Sequence, residues 1–200
     1  LGGALARGFA GAGARVWIAG HSQSEKAAQL ARELTGLGYW AKDCRVDVTS
    51  RESLSRLSDQ MSAEGVWPEF LINAAGGAVR EATTGPAHSF FELPESALAQ
   101  ALNLNFMGTL YACQVFGRAM AEHGHGCIIN IASVGGIRPL TRSVAYSAGK
   151  AAVLNFTQWL SVHLGQTYSP DIRVNALVPG FFLTAQNRFL LTDEGTGELT

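Results

Sequence analysis

The chain has 200 residues and a net charge of −1: long enough for one sizeable core, and too nearly neutral to make an electrostatic case for nucleic acid or an acidic membrane surface. Apolar residues make up 47% and charged residues 16%; the charged share is below the ~25% of an average soluble domain, which points to extensive burial, subunit contacts included. No apolar run is long enough to span a bilayer and no secretory signal is visible. Cys44, Cys113 and Cys127 lack metal-ligand spacing and read as small buried residues in a reducing cytoplasm; no metal is expected.

The chain opens at Leu1 without an initiator Met and closes on a Gly- and Thr-rich stretch, so a fragment cut at both ends is expected. Residues 3–12 suit a helix, with Leu5 and Phe9 four apart on one face. Residues 15–20 read as a short buried strand, 24–37 as a helix, 39–46 as a second strand and 51–64 as a helix. Residues 70–72 form a buried strand ending at Asn73. A Gly/Pro/Thr loop then runs over 76–94, long for a connection inside a compact domain. Residues 94–122 are mostly helical, 127–131 a strand, 144–166 a long helix and 172–177 a strand. Strands alternating with helices predict βαβ units: a single α/β domain over 1–200 with a doubly wound, Rossmann-like parallel sheet. Ligands of such sheets sit outside the carboxyl ends of the strands, so the chemistry belongs to the segments after Gly20, Val46, Ile72, Ile131 and Leu177.

One of those segments holds a distinctive triplet. Tyr146 and Lys150 lie at i and i+4, on one face of a helix, and Ser133 lies thirteen residues before Tyr146, just past a strand end. A phenol ordinarily serves as a base only near pH 10. An ammonium at ~4 Å contributes up to ~4 kcal/mol at an effective dielectric near 20, enough to bring a phenol toward neutral pH, where acid–base work is most efficient. A serine hydroxyl beside them can hold a substrate oxygen.

Ser133 with Tyr146-Ser147-Ala148-Gly149-Lys150 resembles the signature of the short-chain dehydrogenase/reductase family. The resemblance covers nearly the whole chain. It implies an oxidoreductase that moves hydride between a nicotinamide cofactor and an alcohol or carbonyl, with Asn105, Ser133, Tyr146 and Lys150 as the catalytic set. Asn105, three before Gly108, matches the family's Asn that anchors a water on the proton path; Asn103 is then a structural helix residue. Leu1-Gly2 looks like the end of the family's glycine-rich turn, with Gly2 opening the helix that faces the pyrophosphate. Asp47 and Val48 match the residues that bracket adenine. Asn73-Ala74-Ala75-Gly76 resembles the family's Asn-Asn-Ala-Gly beside the ribose, with Ala in place of the second Asn. Pro179-Gly180 and Thr184 match the segment holding the nicotinamide amide, and Tyr146 and Lys150 also belong to the cofactor site.

After the strand ending at Gly20, where many members carry Asp, no acid occurs before Glu25. His21 and Ser22 could donate to a 2′-phosphate, so NADP is favoured slightly over NAD. Residues 179–188, with 155–159 upstream, resemble the branch of D-mannonate oxidoreductase and fructuronate reductase-like enzymes. A sugar acid calls for Arg with amide or hydroxyl partners, and Arg80, Arg142, Gln186, Asn187 and Arg188 are candidates. The rival expectation is a catalytically silent nucleotide-binding scaffold, which would need none of the four catalytic residues.

Helix 144–166 carries Val153, Phe156, Leu160 and His163 as an apolar stripe. The family pairs through this helix, so a homodimer or homotetramer is expected, with a small-molecule substrate as the other partner. The resemblance also places a first central strand before Leu1, between the strands at Val16 and Leu71, and a last edge strand after Thr200. Residues 1–200 alone are then expected to fold marginally and bind cofactor poorly.

Overall fold

The computed structural model describes residues 1–21, 24–85, 88–138 and 140–182. They divide into two compact units, residues 1–67 and 68–200.

The first unit runs α1 (Gly2–Gly11), β1 (Val16–Gly20), α2 (Ser24–Gly36), β2 (Ala41–Arg45) and α3 (Arg51–Ala63). β1 and β2 are parallel, in register from Val16 opposite Ala41 to Gly20 opposite Arg45. α2 forms because Ala27, Leu30, Ala31 and Leu34 repeat at helical spacing, and these are its buried residues. Leu30 and Leu34 pack with Ala10 of α1 against Val16, Ile18 and Ala41. α3 starts at Ser50, whose hydroxyl accepts the Ser53 N–H at 3.2 Å, satisfying one of the donors that a helix start leaves open. The second strand is shorter than the predicted 39–46: Tyr39 and Trp40 precede it, and Trp40 stacks at a tilt on Trp17, 5.9 Å between rings.

The second unit runs β3 (Phe70–Asn73), α4 (Glu95–Leu102), a π-helical turn (Asn103–Met107), α5 (Gly108–His123), β4 (Gly126–Ile131), α6 (Val144–Thr167) and β5 (Ile172–Leu177). Its three strands are parallel in the order β3-β4-β5. β4 is buried at Cys127, Ile128, Asn130 and Ile131, on both faces, as in a sheet covered on two sides. α5 ends at Gly124, whose φ of 75° supplies the left-handed cap. The mostly helical stretch expected over 94–122 is two helices with a π turn between them. The long loop contains two short 3₁₀ turns, Arg80–Ala82 and Phe90–Glu92.

The stripe expected on α6 needs correcting. Val153, Thr157, Leu160 and Leu164 form the buried face. Phe156 and His163 instead belong to a ring ladder with Trp159 and Tyr168: Phe156 and Trp159 are 6.4 Å apart, Trp159 and His163 4.8 Å, His163 and Tyr168 5.9 Å. At about 100° per residue the two sets are neighbouring stripes, and hydrophobicity alone had merged them.

Cys113 and Cys127 are buried and Cys44 is half-buried. Burial pushes the Cys44 thiol up to about 11 and the Cys113 thiol up to about 12, so neither is a nucleophile at neutral pH.

Candidate active site

Lys150 is 3% exposed, one helical turn beyond the half-buried Tyr146 near the start of α6. Its Nζ donates to the carbonyl of Ile131, the last residue of β4, at 2.7 Å, and stands 5.8 Å from the centre of the Tyr146 ring. Burial lowers the ammonium's pKa from 10.5 to about 8. The sheet thus holds the cation by its own strand end, beside the phenol ring.

Ser133 follows β4 by two residues and is buried. Its hydroxyl oxygen accepts the Gly135 N–H at 3.1 Å inside the short turn Val134–Gly136, which leaves the hydroxyl proton to be donated elsewhere. The turn lies against α6: a Cβ at Gly136 would stand 2.8–2.9 Å from the Lys150 and Ala151 backbone. Val134 N–H donates to Pro179 O at 3.1 Å, which brings the Pro179-Gly180 turn after β5 to the Ser133 loop. Ser147 Oγ, next to Tyr146, is buried without a hydrogen-bond partner among the described residues.

Asn105 is fully buried, in the middle of the π turn, while Asn103 is exposed. The Asn105 amide donates to Gly77 O and Ala101 O, both at 2.9 Å, and its oxygen accepts the Gly77 N–H at 2.9 Å. Both amide protons are therefore spent on backbone, so the side chain fixes the loop after β3. Gly76 and Gly77 have φ of 148° and 154°. A Cβ at Gly76 would stand 2.7 Å from Asn105 Oδ1 and 3.2 Å from Lys150 Nζ, so glycine there keeps space open beside the lysine. Ala74 and Ala75 precede it with small side chains. The Asn73 amide nitrogen is turned into the core, donating to Asn130 Oδ1 at 2.8 Å, while Asn130 donates to Thr157 Oγ1 at 2.9 Å.

In the first unit, α1 begins at Gly2 and β1 ends at Gly20. Thr49 donates its N–H and hydroxyl to Asp47 Oδ1, at 2.9 and 2.6 Å. The Thr49 hydroxyl chiefly holds the Asp47 carboxyl below its usual range, with a smaller contribution from His21. His21 Nε2 is 3.9 Å from Asp47 Oδ2. The stretch after β1 contains no acid in sequence, yet parallel pairing with β2 brings one beside it in space. Val48 is half-buried. Of the substrate candidates, Arg80 is exposed in its 3₁₀ turn and Arg142 is tied to Thr84. Ser22, Thr184, Gln186, Asn187 and Arg188 lie outside the described residues.

Sequence reasoning missed Gly77, the Ile131 carbonyl, Gly135 and Gly136. These act through backbone, and only the unusual glycine density of the two loops could have flagged them.

A serine hydroxyl, a tyrosine and a buried lysine beside a glycine-cleared backbone suit an alcohol or carbonyl oxygen next to a nicotinamide ribose. With the parallel α/β architecture, they define a nicotinamide-dependent oxidoreductase. The chain matches the family described as short chain dehydrogenase over residues 1–195, and it belongs to that family, whose members act on CH–OH groups with NAD or NADP. It is 37% identical over 199 residues to the uncharacterized oxidoreductase UxuB of Bacillus subtilis (strain 168), covering 96% of this chain and 70% of that protein. A Haemophilus influenza structure with bound NAD, named provisionally as a D-mannonate oxidoreductase, superposes with a TM-score of 0.88 at 34% identity, covering 99% of this chain and 72% of that one. A gluconate 5-dehydrogenase from Burkholderia cenocepacia J2315, in complex with NADP and tartrate, gives 0.82 at 32% identity over 95% and 70%. Among the described residues no helix is long and apolar enough to cross a membrane.

Proposed function

We propose that the full-length protein interconverts a secondary alcohol and a ketone on a sugar acid, such as an aldonate and its keto acid. The observation that carries the reading is Lys150, buried against the Ile131 carbonyl one turn from Tyr146 and packed beside the Ser133 turn. The bound nicotinamide would supply hydride transfer at the carbon. Ser133 donates its free hydroxyl proton to the substrate oxygen. Tyr146 takes the alcohol proton in oxidation and returns it in reduction, with Lys150 supplying positive charge beside the phenol. Asn105 holds the loop after β3 in place. Residues 74–77 and 179–180 line the nicotinamide end; Gly2, Gly20, His21, Asp47 and Val48 serve the adenosine and phosphates.

The sugar-acid assignment is supported by the mannonate and gluconate enzymes among the similar structures. For the cofactor, NADP is the proposed partner, with the His21 imidazole offered to a 2′-phosphate. A higher kcat/KM with NAD than with NADP would reverse that choice. The protein is further proposed to be a cytoplasmic homodimer or homotetramer.

Tyr146→Phe tests the mechanism, since it removes only the phenol oxygen. Turnover should fall by about 10³-fold or more, with cofactor affinity within threefold of wild type. Turnover within a few-fold of wild type would refute the role of Tyr146. A wild-type protein that binds cofactor and turns over no alcohol or carbonyl would favour the silent scaffold. A panel in which steroids or simple secondary alcohols outperform every aldonate would refute the substrate class.

A further inference from the structure

Two loops at the carboxyl ends of the strands meet at Thr84 and Arg142. Thr84 donates its N–H to Arg142 O at 2.9 Å and its hydroxyl to the same carbonyl at 3.2 Å. Arg142 Nε donates in return to Thr84 O at 3.0 Å. Thr84 is on the loop after β3, whose Gly77 clasps Asn105. Arg142 is on the segment joining β4 to α6, between Ser133 and Tyr146. This is the end of an open α/β sheet at which ligands bind.

Arg142 is exposed, yet both its backbone and its guanidinium are held by one residue. Gly85, next to Thr84, brings no side chain to the spot: a Cβ there would stand 3.1 Å from Arg142 Nη2. Among the described residues neither Nη1 nor Nη2 has a hydrogen-bonded or ionic partner. A guanidinium fixed at Nε presents its two terminal nitrogens as a planar fork, the geometry that receives a carboxylate. The balance of charge agrees. These loops carry Arg80, Arg138 and Arg142 against Glu81 and Glu92, and Glu92 already accepts from Ser89 Oγ at 2.8 Å.

The geometry points to Arg142 as the residue that binds the substrate's carboxylate, held ready for it by the clasp on Thr84. This rests on the hydride-transfer reading and narrows it: the preferred substrate is an alcohol bearing a carboxylate, discriminated from its neutral analogue at this side chain.

The test in the full-length enzyme is the ratio of kcat/KM for D-mannonate to that for D-mannitol, which lacks the carboxylate. Arg142→Gln should lower that ratio about 100-fold through the KM of the acid. Arg142→Lys should recover under a tenth of the loss, because an ammonium keeps the charge and loses the fork. A ratio unchanged within threefold overturns the proposal, whether both substrates suffer equally, as for a purely structural clasp, or neither does. Calorimetric binding of mannonate to the cofactor-saturated Tyr146→Phe enzyme separates this site from the chemistry. Binding there that Arg142→Gln weakens upholds the carboxylate site even if hydride transfer is refuted. Absence of mannonate binding in an enzyme that oxidises neutral alcohols overturns the site and leaves hydride transfer standing.

Discussion

Lys150 is kept 3% exposed, with the Ile131 carbonyl as the hydrogen-bond acceptor of its Nζ among the described residues. Its pKa falls from 10.5 in the unfolded chain to about 8 in the fold, because burial disfavours the charged form. Below pH 8 both states hold the proton, and the buried charge costs stability. Between pH 8 and 10.5 the folded chain releases a proton that the unfolded chain keeps, so stability rises with pH. Lys150→Met removes this dependence. The stability of wild type relative to Lys150→Met should therefore increase by about 2 kcal/mol from pH 7 to 9.5, read from denaturant unfolding at both pH values, and a difference that stays flat or shrinks would contradict the burial assigned to Lys150. The variant should also lose turnover at pH 7 without losing its fold, the trade between stability and activity expected when a site keeps a costly charge.

At the scale of elements, the turn Val134–Gly136 decides where Ser133 stands relative to α6. Gly136→Ala would push a Cβ to 2.8–2.9 Å from the α6 backbone at Lys150 and Ala151, where nothing flexible can give. A cost of roughly 1–3 kcal/mol follows for overpacking, and the shift of Ser133 against Tyr146 should lower kcat about ten- to a hundredfold. Gly165, in the same helix, provides the contrast: a Cβ there meets nothing within 4 Å, so Gly165→Ala should stabilise by about 0.5–1 kcal/mol through helix propensity with kcat unchanged. Thermal melts and steady-state kinetics on the pair check both statements. Equal effects of the two substitutions would mean that the Gly136 contact does not position the site. The π turn Asn103–Met107 is a second element with a purpose visible in its contacts: it places Asn105 inside, where its amide closes on Gly77, and leaves Asn103 outside.

At the scale of the whole molecule, the ring ladder on α6 is the feature a partner would cover. Trp159 is 57% exposed, Val162 58% and Tyr168 56%, while the neighbouring stripe of the helix, Val153 to Leu164, is already buried. If the proposed homo-oligomer forms through this face, Trp159→Glu should convert it to monomer at micromolar concentration, because a carboxylate would be buried without a partner. Light scattering on wild type and variant checks this; identical masses would place the interface elsewhere.

The amino-acid sequence by itself determined the alternation of strands and helices, because periodicity is a local property: Leu30 and Leu34 mark a helix face wherever the helix goes. It also marked Ser133, Tyr146 and Lys150 as candidates, because Tyr and Lys one turn apart share a face on any helix. Between the two asparagines, family position pointed to Asn105, which is the buried one. Tertiary structure alone decided what depends on residues far apart in the chain. Asp47 reaches His21 because β1 and β2 pair in parallel, so an acid absent from the local stretch is present in space. Lys150 meets the Ile131 carbonyl, and Arg142 is held by Thr84, fifty-eight residues away. The division of α6 into a buried stripe and an exposed ring ladder also required the sheet in place, since only burial distinguishes two neighbouring apolar faces. These contacts involve backbone groups that every residue carries, or pairings set by strand register. No residue type signals either in advance.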